Sequence, residues 1–212
     1  SKPLRQTMHW GLRNYRRLRN LGGPKGIARK LRQKKREQEA RKLHGTASFP
    51  TPEEAARQRD TKFDRMVKIS ILVPLYNTPL QFLNEMIESV LNQTYQNWEL
   101  CLADGSDDEH TEVGARCQEY AARDKRIVYH KLVKNEGIAG NTNECYKLAT
   151  GEYIGLFDHD DILHPSVLFE YVKVINEQGA DYIYCDETTF KGDSIDNMIT
   201  LHFKPDFSID NL

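Results

Sequence analysis

No stretch of this chain approaches the roughly 18–20 consecutive apolar residues that cross a bilayer, and its basic N-terminal end has no apolar segment behind it of the kind a secretory signal carries. Cysteine is scarce: Cys101, Cys117, Cys145 and Cys185 stand apart, with no C-x-x-C pair and no histidine at zinc-ligand spacing. Three of the four lie in apolar or helical patterns, where a free thiol is core filler. These absences point to a reducing compartment, to no structural metal cluster, and to a soluble or peripheral cytoplasmic protein, if peripheral then at the inner face of the plasma membrane. No internal repeat is present.

An excess of either charge is also missing from the whole, with 30 basic and 31 acidic residues, but not from its parts. Residues 1–44 hold 15 Lys/Arg against 2 Glu, a net +13, and the rest holds 15 basic against 29 acidic residues, a net −14. A basic arm is joined to an acidic globule. Within the arm Leu4, Met8, Leu12, Tyr15 and Leu18 recur at helical spacing, "LGGPKG" (21–26) interrupts, and "KKREQEARK" (34–42) continues as a charged helix. A linker follows, with a short helix possible after Pro52, so that residues 1–66 read as basic arm and linker and 67–212 as one domain.

From Val67 strand and helix signals alternate. "KISILVPLYN" (68–77), "WELCLADGS" (98–106), "RIVYHKLV" (126–133), "EYIGLF" (152–157) and "DYIYC" (181–185) read as five strands. Between them, Thr78-Pro79 offers an N-cap and a first-turn proline to a helix carrying Leu80, Leu83, Ile87, Val90 and Leu91. Asp107 or Asp108 can cap a helix reaching Tyr120, and further helices run from Ile138 to Ala149 and on from Pro165. Such alternation predicts an α/β fold, a mostly parallel sheet with helices on both faces. Ligands of such sheets bind beyond the carboxyl ends of the strands, where strand order reverses. The polar clusters Tyr76-Asn77, Asp104-Gly105-Ser106, Asn135-Glu136-Gly137, Asp158-His159-Asp160-Asp161 and Asp186-Glu187 all follow strands.

The acidic turn "FDHDD" (157–161) places like charges side by side, and a divalent ion would neutralise them. Mg²⁺ or Mn²⁺ is commonly held by one or two protein carboxylates, with substrate phosphates and water completing the shell. Read alone, a D-x-D of this kind is more often a solvated turn with one Asp capping a helix. Asp104 can accept a hydrogen bond from a base N–H, or else cap the next helix. Tyr76 can stack on a base, and Asn135, Gly137 and Asn143 flank a helix start whose free N–H groups could face an anion.

Taken in order, "SILVPLYN…IESVLNQTYQNWELCLADGSDD…VKNEGIAGNTNECYKLATGEYIGLFDHDDILHPSVL…DYIYCDE…FKPDFS" closely resembles the donor-binding half of family 2 glycosyltransferases, from about Lys68 to Pro205. The spellings "DHDD" and "FKPDFS" are most similar to bacterial cell-surface polysaccharide enzymes, rhamnan-type ones among them. The resemblance implies the GT-A fold and inverting transfer from a nucleotide-diphosphate sugar, a UDP- or dTDP-sugar first, to a glycan or lipid-linked acceptor. It implies that Pro74 and Tyr76 line the nucleoside pocket, that Asp104 contacts the base, and that Asp158 lies near the ribose or diphosphate. Asp160, with Asp158, would ligate the metal, and Asn143 stands where the family has the Asn of an Arg-Asn pair. Two positions depart from the pattern: Ala103 replaces the first Asp of Asp-Asp-Gly-Ser, and Thr142 replaces the Arg. The family's general base comes from an acceptor-side segment well beyond D-x-D, which Asp186 and Glu187 lie too close to match. The expectation is therefore a donor-binding half that binds its nucleotide sugar and lacks that base.

The +13 arm fits a peripheral anchor on anionic lipid, with Met8, Trp10, Leu12 and Tyr15 entering the interface, or equally a solvated helical segment touching another part of a longer enzyme. No base-reading module accompanies its charge, so no nucleic acid is expected. Two other functions stay open. A catalytically degenerate sugar-nucleotide-binding module would suit Ala103 and Thr142. A nucleotidyltransferase would need a Gly-rich basic loop near the first strand, which "VPLYNTP" (73–79) is not.

Overall fold

The structure, a computed structural model, describes residues 49–190 and 198–202 together with Arg32 and Lys204. Apart from Arg32 and Lys204, the helical arm expected over 1–44 and the "FKPDFS" stretch lie outside the described residues. The chain divides into two units, residues 49–183 and residues 1–48 with 184–212, and each is described by itself.

The first unit begins with α1 (Pro52–Asp60), closed at its start by a reciprocal cap: Glu54 N donates to Thr51 Oγ1 at 3.2 Å and Thr51 N to Glu54 Oε2 at 3.0 Å. Then strand and helix alternate as β1 (Ile69–Leu75), α2 (Leu80–Leu91), β2 (Trp98–Asp104), α3 (Thr111–Arg123), β3 (Ile127–Lys131), α4 (Gly137–Leu148), β4 (Tyr153–Leu156) and α5 (Val167–Gln178). The four strands are all parallel, in the order β3-β2-β1-β4. This is the α/β architecture that the alternation predicts.

Both central strands are buried almost throughout, as strands covered on two faces must be. On one face Ile71, Val73 and Leu75 of β1 and Leu100 and Leu102 of β2 pack against Leu83, Met86, Ile87 and Val90 of α2, Val113 and Cys117 of α3, and Leu168, Val172 and Ile175 of α5. On the other, Leu72, Cys101 and Ala103 lie beneath Cys145 and Leu148 of α4. Burying each Leu- or Ile-sized side chain contributes about 1.5–3 kcal/mol, so the two layers hold the strand ends, and the loops leaving them, in fixed places. At the amino ends the buried Glu99 accepts from Lys68 Nζ at 2.5 Å, Ser70 Oγ at 2.6 Å, and Thr150 N and Oγ1 at 2.5 and 2.9 Å. Burial alone would raise its pKa; the bonds from Lys68, Ser70 and Thr150 outweigh that and bring it down to about 2.

Three local expectations are corrected. Pro79, not Thr78, occupies the cap position of α2, because its fixed φ suits the entry to a helix while Thr78 turns inward and is buried. His110, not Asp107 or Asp108, precedes α3; the Asp107 carboxylate is engaged by Asn77 and by the His110 ring. The fifth strand expected over 181–185 does not form. In the second unit β5 (Glu187–Phe190) begins beyond that stretch and pairs antiparallel with β6 (Met198–His202), Glu187 opposite His202. An apolar run becomes a strand only against a partner's backbone groups, and this hairpin supplies them to 187–190, leaving Tyr182 at 62% exposure. No described helix is long and apolar enough to cross a membrane.

Candidate functional site

The chain leaves β1 toward β2 and β3 and then returns to the opposite side of β1 with β4, so strand order reverses at β1. The residues that end or follow these parallel strands lie along this same end of the sheet. Leu75, Asp104 and Lys131 form one row across β1, β2 and β3. Asp104 is 0% exposed. Its Oδ1 accepts from Ser106 N at 2.8 Å, and its Oδ2 from Tyr129 Oη at 2.8 Å and Lys131 Nζ at 3.3 Å. Lys131 Nζ also donates to Ser106 O at 2.5 Å. Burial, then the bond to Asp104, raises the Tyr129 pKa, which keeps the phenol a donor. Room for this cluster depends on Gly114 of α3, where a Cβ would stand 2.5 Å from Tyr129 Oη.

The loops after β1 and β2 are tied together. Asn77 adopts φ 49°, a left-handed conformation that asparagine tolerates. Its N donates to Ser106 Oγ at 2.9 Å, its Nδ2 donates to Asp107 Oδ2 at 2.8 Å, and its Oδ1 accepts from Asp107 N at 3.1 Å. His110 Nδ1 lies 2.6 Å from Asp107 Oδ1. That bond raises the His110 pKa and lowers that of Asp107. Tyr76 stands half exposed at this mouth, one residue beyond β1, and Pro74, partly buried, pairs with Ala103.

A second network joins the loop after β3. Asn141 of α4, 2% exposed, donates from Nδ2 to Asn135 Oδ1 at 3.0 Å and accepts at Oδ1 from Glu136 N at 3.0 Å. Gly105 is the close-approach point: a Cβ there would lie 2.8 Å from Asn141 Nδ2 and 3.1 Å from Asn135 Cα. Asn143 lies on the exposed side of α4, and Thr142 turns its hydroxyl back onto Ile138 O at 2.7 Å.

The acidic turn starts where Phe157 N donates to Leu72 O at 3.1 Å, at the middle of β1, and Asp161 N closes it onto Asp158 O at 3.3 Å. Asp158 and Asp160 are both exposed. No cluster of three or more His, Cys, Asp or Glu arranged for a metal occurs among the described residues. Two exposed carboxylates are nevertheless the donor set of an ion that keeps water and phosphate oxygens in its shell, so the turn fits Mg²⁺ or Mn²⁺ and does not fit a closed protein cage. The buried thiols are no alternative chemistry: burial pushes Cys101 and Cys117 up to about 12 and Cys145 up to about 11. In the second unit Asp186 Oδ1 accepts from Lys204 N at 2.8 Å, and Glu187 pairs with the Lys204 ammonium. A cavity of about 270 Å³, lined by Gln58, Thr61, Met66, Tyr95 and Asn97 among others, lies at the opposite, amino end of β1 and β2.

The parallel sheet, with an aromatic ring, a carboxylate–lysine row and an exposed acidic turn leaving its strand ends, defines a doubly covered α/β protein. The sequence profile of Glycosyl transferase family 2 matches residues 70–209, and the chain belongs to that family, with the GT-A fold expected of it. Among its relatives, an uncharacterized protein, y4gI, of Sinorhizobium fredii is 42% identical over 145 residues, 68% of this chain and 16% of that protein. Glycosyltransferase GlyG of Streptococcus pneumoniae is 38% identical over 117 residues, 54% of this chain and 37% of that protein. Among solved structures, S. aureus TarS 1-349 in complex with UDP-GlcNAc is 26% identical, with a TM-score of 0.48 over 54% of this chain and 32% of that one. This chain thus spans well under half the length of these relatives.

Sequence reading singled out Tyr76, Asp104 and the acidic turn, which do leave the same end of the sheet. It passed over Lys131 and the organising role of Asn141. A signal for each was present: Lys131 lies two residues beyond Tyr129 on one strand, and Asn141 shares the sheet-facing stripe of α4 with Cys145 and Leu148.

Proposed function

We propose that the sheet unit binds a nucleotide-diphosphate sugar, UDP- or dTDP-linked, across the carboxyl ends of its strands. It would serve inverting transfer of that sugar to a glycan or lipid-linked acceptor in polysaccharide biosynthesis at the cytoplasmic face of the membrane. The observation that carries this reading is that Tyr76, the Asp104–Lys131 row and the Asp158–Asp160 turn all leave the carboxyl ends of one parallel sheet whose strand order reverses at β1. Family membership and the 38% identity to a glycosyltransferase support it.

In this reading Tyr76, with Pro74 beneath it, offers its half-exposed ring to the base. Asp104 acts from within, holding Ser106 and Lys131 in place. Asp160 and Asp158 hold Mg²⁺ or Mn²⁺, with Asn143 on the neighbouring helix. Such an ion supplies charge neutralisation to the leaving diphosphate. The Thr142 hydroxyl is spent within its own helix, so no guanidinium from that position shares this task.

Titration calorimetry with UDP-, GDP- and dTDP-sugars, with and without Mn²⁺, tests the reading. We expect metal-dependent binding that weakens at least about tenfold, or 1.4 kcal/mol, in Asp160→Ala. Equal binding without metal, or an unchanged affinity in Asp160→Ala, would remove the metal from the reading. Absence of binding to all three donors would remove the reading itself. Ala103 and Thr142 favour one other possibility, a binding module without transfer. Tight donor binding with no release of nucleoside diphosphate in the presence of acceptor glycans would select it.

A further inference from the structure

Gln93 lies in the turn between α2 and β2, and its side chain is fully buried. A buried amide must set its polar atoms against partners, and this one does so across two segments of the chain. Its Nε2 donates to Ser89 O at 3.1 Å, in the last turn of α2, and to His164 O at 2.9 Å, while its Oε1 accepts from Leu168 N at 3.2 Å. Leu168 belongs to the first turn of α5, whose N–H groups have no partner within the helix, and the preceding Ser166 makes no side-chain cap. Gln93 therefore caps α5 from another element. Its neighbours hold the same stretch. Thr94 N and Oγ1 donate to Pro165 O at 2.8 and 3.2 Å, and Leu163 N donates to Ser89 Oγ at 3.1 Å. Residues 163–168 are thus fixed from the α2 side, and Phe157 is fixed from β1 through its bond to Leu72 O. Between these two anchors run residues 158–162, the acidic turn. Asp158 and Asp160 are exposed, so the backbone of the turn decides where their carboxylates stand.

We propose that Gln93 is the positioning residue of the acidic turn: from within the core it sets the placement of Asp158 and Asp160 that a divalent ion and a diphosphate require. This rests on the donor-site reading above and adds to it a residue buried away from both ligands. A core position filled for packing alone would take an apolar side chain, whereas a fully satisfied buried amide specifies one arrangement of the elements it joins. Losing a group that orients metal-holding side chains typically costs about 10–100-fold in metal affinity.

Calorimetry with UDP, with and without Mn²⁺, gives the factor by which the metal strengthens nucleotide binding. It is run on the full chain and on Gln93→Met and Ser89→Ala. Met keeps the length of the side chain and removes its amide hydrogen bonds, and Ala removes only the hook on Leu163. Glu99→Gln, which loosens the opposite end of the sheet, is the control for lost stability alone. The factor should fall about tenfold in Gln93→Met. It should fall at least about threefold in Ser89→Ala, the worth of one hydrogen bond. Metal-free affinity for UDP should be unchanged in both, and the factor should be unchanged in Glu99→Gln. In the metal-free proteins, amide hydrogen exchange over residues 158–168 should quicken in the two variants and not in the control. A factor unchanged in both variants, or unchanged exchange over 158–168, overturns the proposal and leaves the donor-site reading intact. An equal fall in Glu99→Gln overturns it too, since general loosening would then be the cause. Should Gln93→Met fail to fold, Ser89→Ala decides alone. If Mn²⁺ does not strengthen UDP binding to the unmodified chain, the metal is removed from the donor-site reading, and the role given to Gln93 falls with it.

Discussion

Replacing Glu99 by Gln isolates the interaction that fastens the amino ends of the sheet. Glu99 is 5% exposed and bonds Lys68, Ser70 and Thr150 at once, joining β1, β2 and the turn before β4. Gln keeps the volume and one acceptor oxygen but turns an amide N–H₂ toward the Lys68 ammonium, donor against donor. The magnitude follows from proton linkage. Lowering the carboxyl from 4.5 to about 2 corresponds to about 3 kcal/mol of folding free energy, at about 1.4 kcal/mol per pH unit. The Lys68 side chain is 37% exposed and partly screened by water, which discounts the expectation to roughly 2–3 kcal/mol.

Because the folded-state pKa lies below the unfolded one, this stability is fully present above about pH 4.5 and is lost as pH falls through about 2. Urea unfolding followed by the fluorescence of Trp98, buried beneath Arg126 at 3.8 Å, measures it. The unmodified chain should exceed Glu99→Gln by roughly 2–3 kcal/mol at pH 7, and the gap should narrow steadily below pH 4.5. A gap within about 0.5 kcal/mol at pH 7, or one that stays constant down to pH 3, would refute the reasoning. Nucleotide binding, at the other end of the strands, should be unchanged under conditions where both proteins are folded.

Gly114→Ala should cost about 1–3 kcal/mol in denaturant unfolding, since its Cβ would press on Tyr129 Oη. Combining it with Tyr129→Phe should cost less than the two single changes added, and strict additivity would show that the steric account is wrong. An NMR titration of His110 should give a pKa above the ordinary 6.5, returning toward it in Asp107→Asn. A value insensitive to Asp107 would break that pairing. The +13 segment over 1–44 is expected to bring the chain down with anionic vesicles, at about 1 kcal/mol per basic residue near the surface, and to release it as salt rises. No pelleting at any ionic strength would leave the arm without a membrane role.

The sheet was legible because its signal is simple. Strands covered on both faces appear as unbroken apolar runs, and "SILVPL" and "WELCLAD" could scarcely be anything else. "DYIYC" looks the same in composition, but a ladder partner decides the matter, and composition does not record partners. Orientation at the site was harder to see, although the relevant period was on view. Alternation along β2 puts Asp104 on the face of Leu100 and Leu102, beneath α3, so its carboxylate was bound to turn inward. The helical period of α4 likewise sends Asn141 to the sheet and Asn143 to water. A motif names residues, whereas periodicity says which way they point.

That distinction changes how the acidic turn is understood. Adjacent aspartates in a buried strand end would demand a cation merely to exist. Asp158 and Asp160 are exposed, and water screens their repulsion, so the turn can stand without an ion. An ion there is consequently not part of the folding free energy in the donor-site reading. Its affinity arises from two carboxylates together with the phosphate oxygens that arrive with the nucleotide. Metal and nucleotide then strengthen one another by the same factor, as linkage requires, and neither should bind strongly alone. In that reading the ligand would assemble the site at the β4 end, while Asp104, Tyr129 and Asn141 hold the β2–β3 end in place through their own hydrogen bonds.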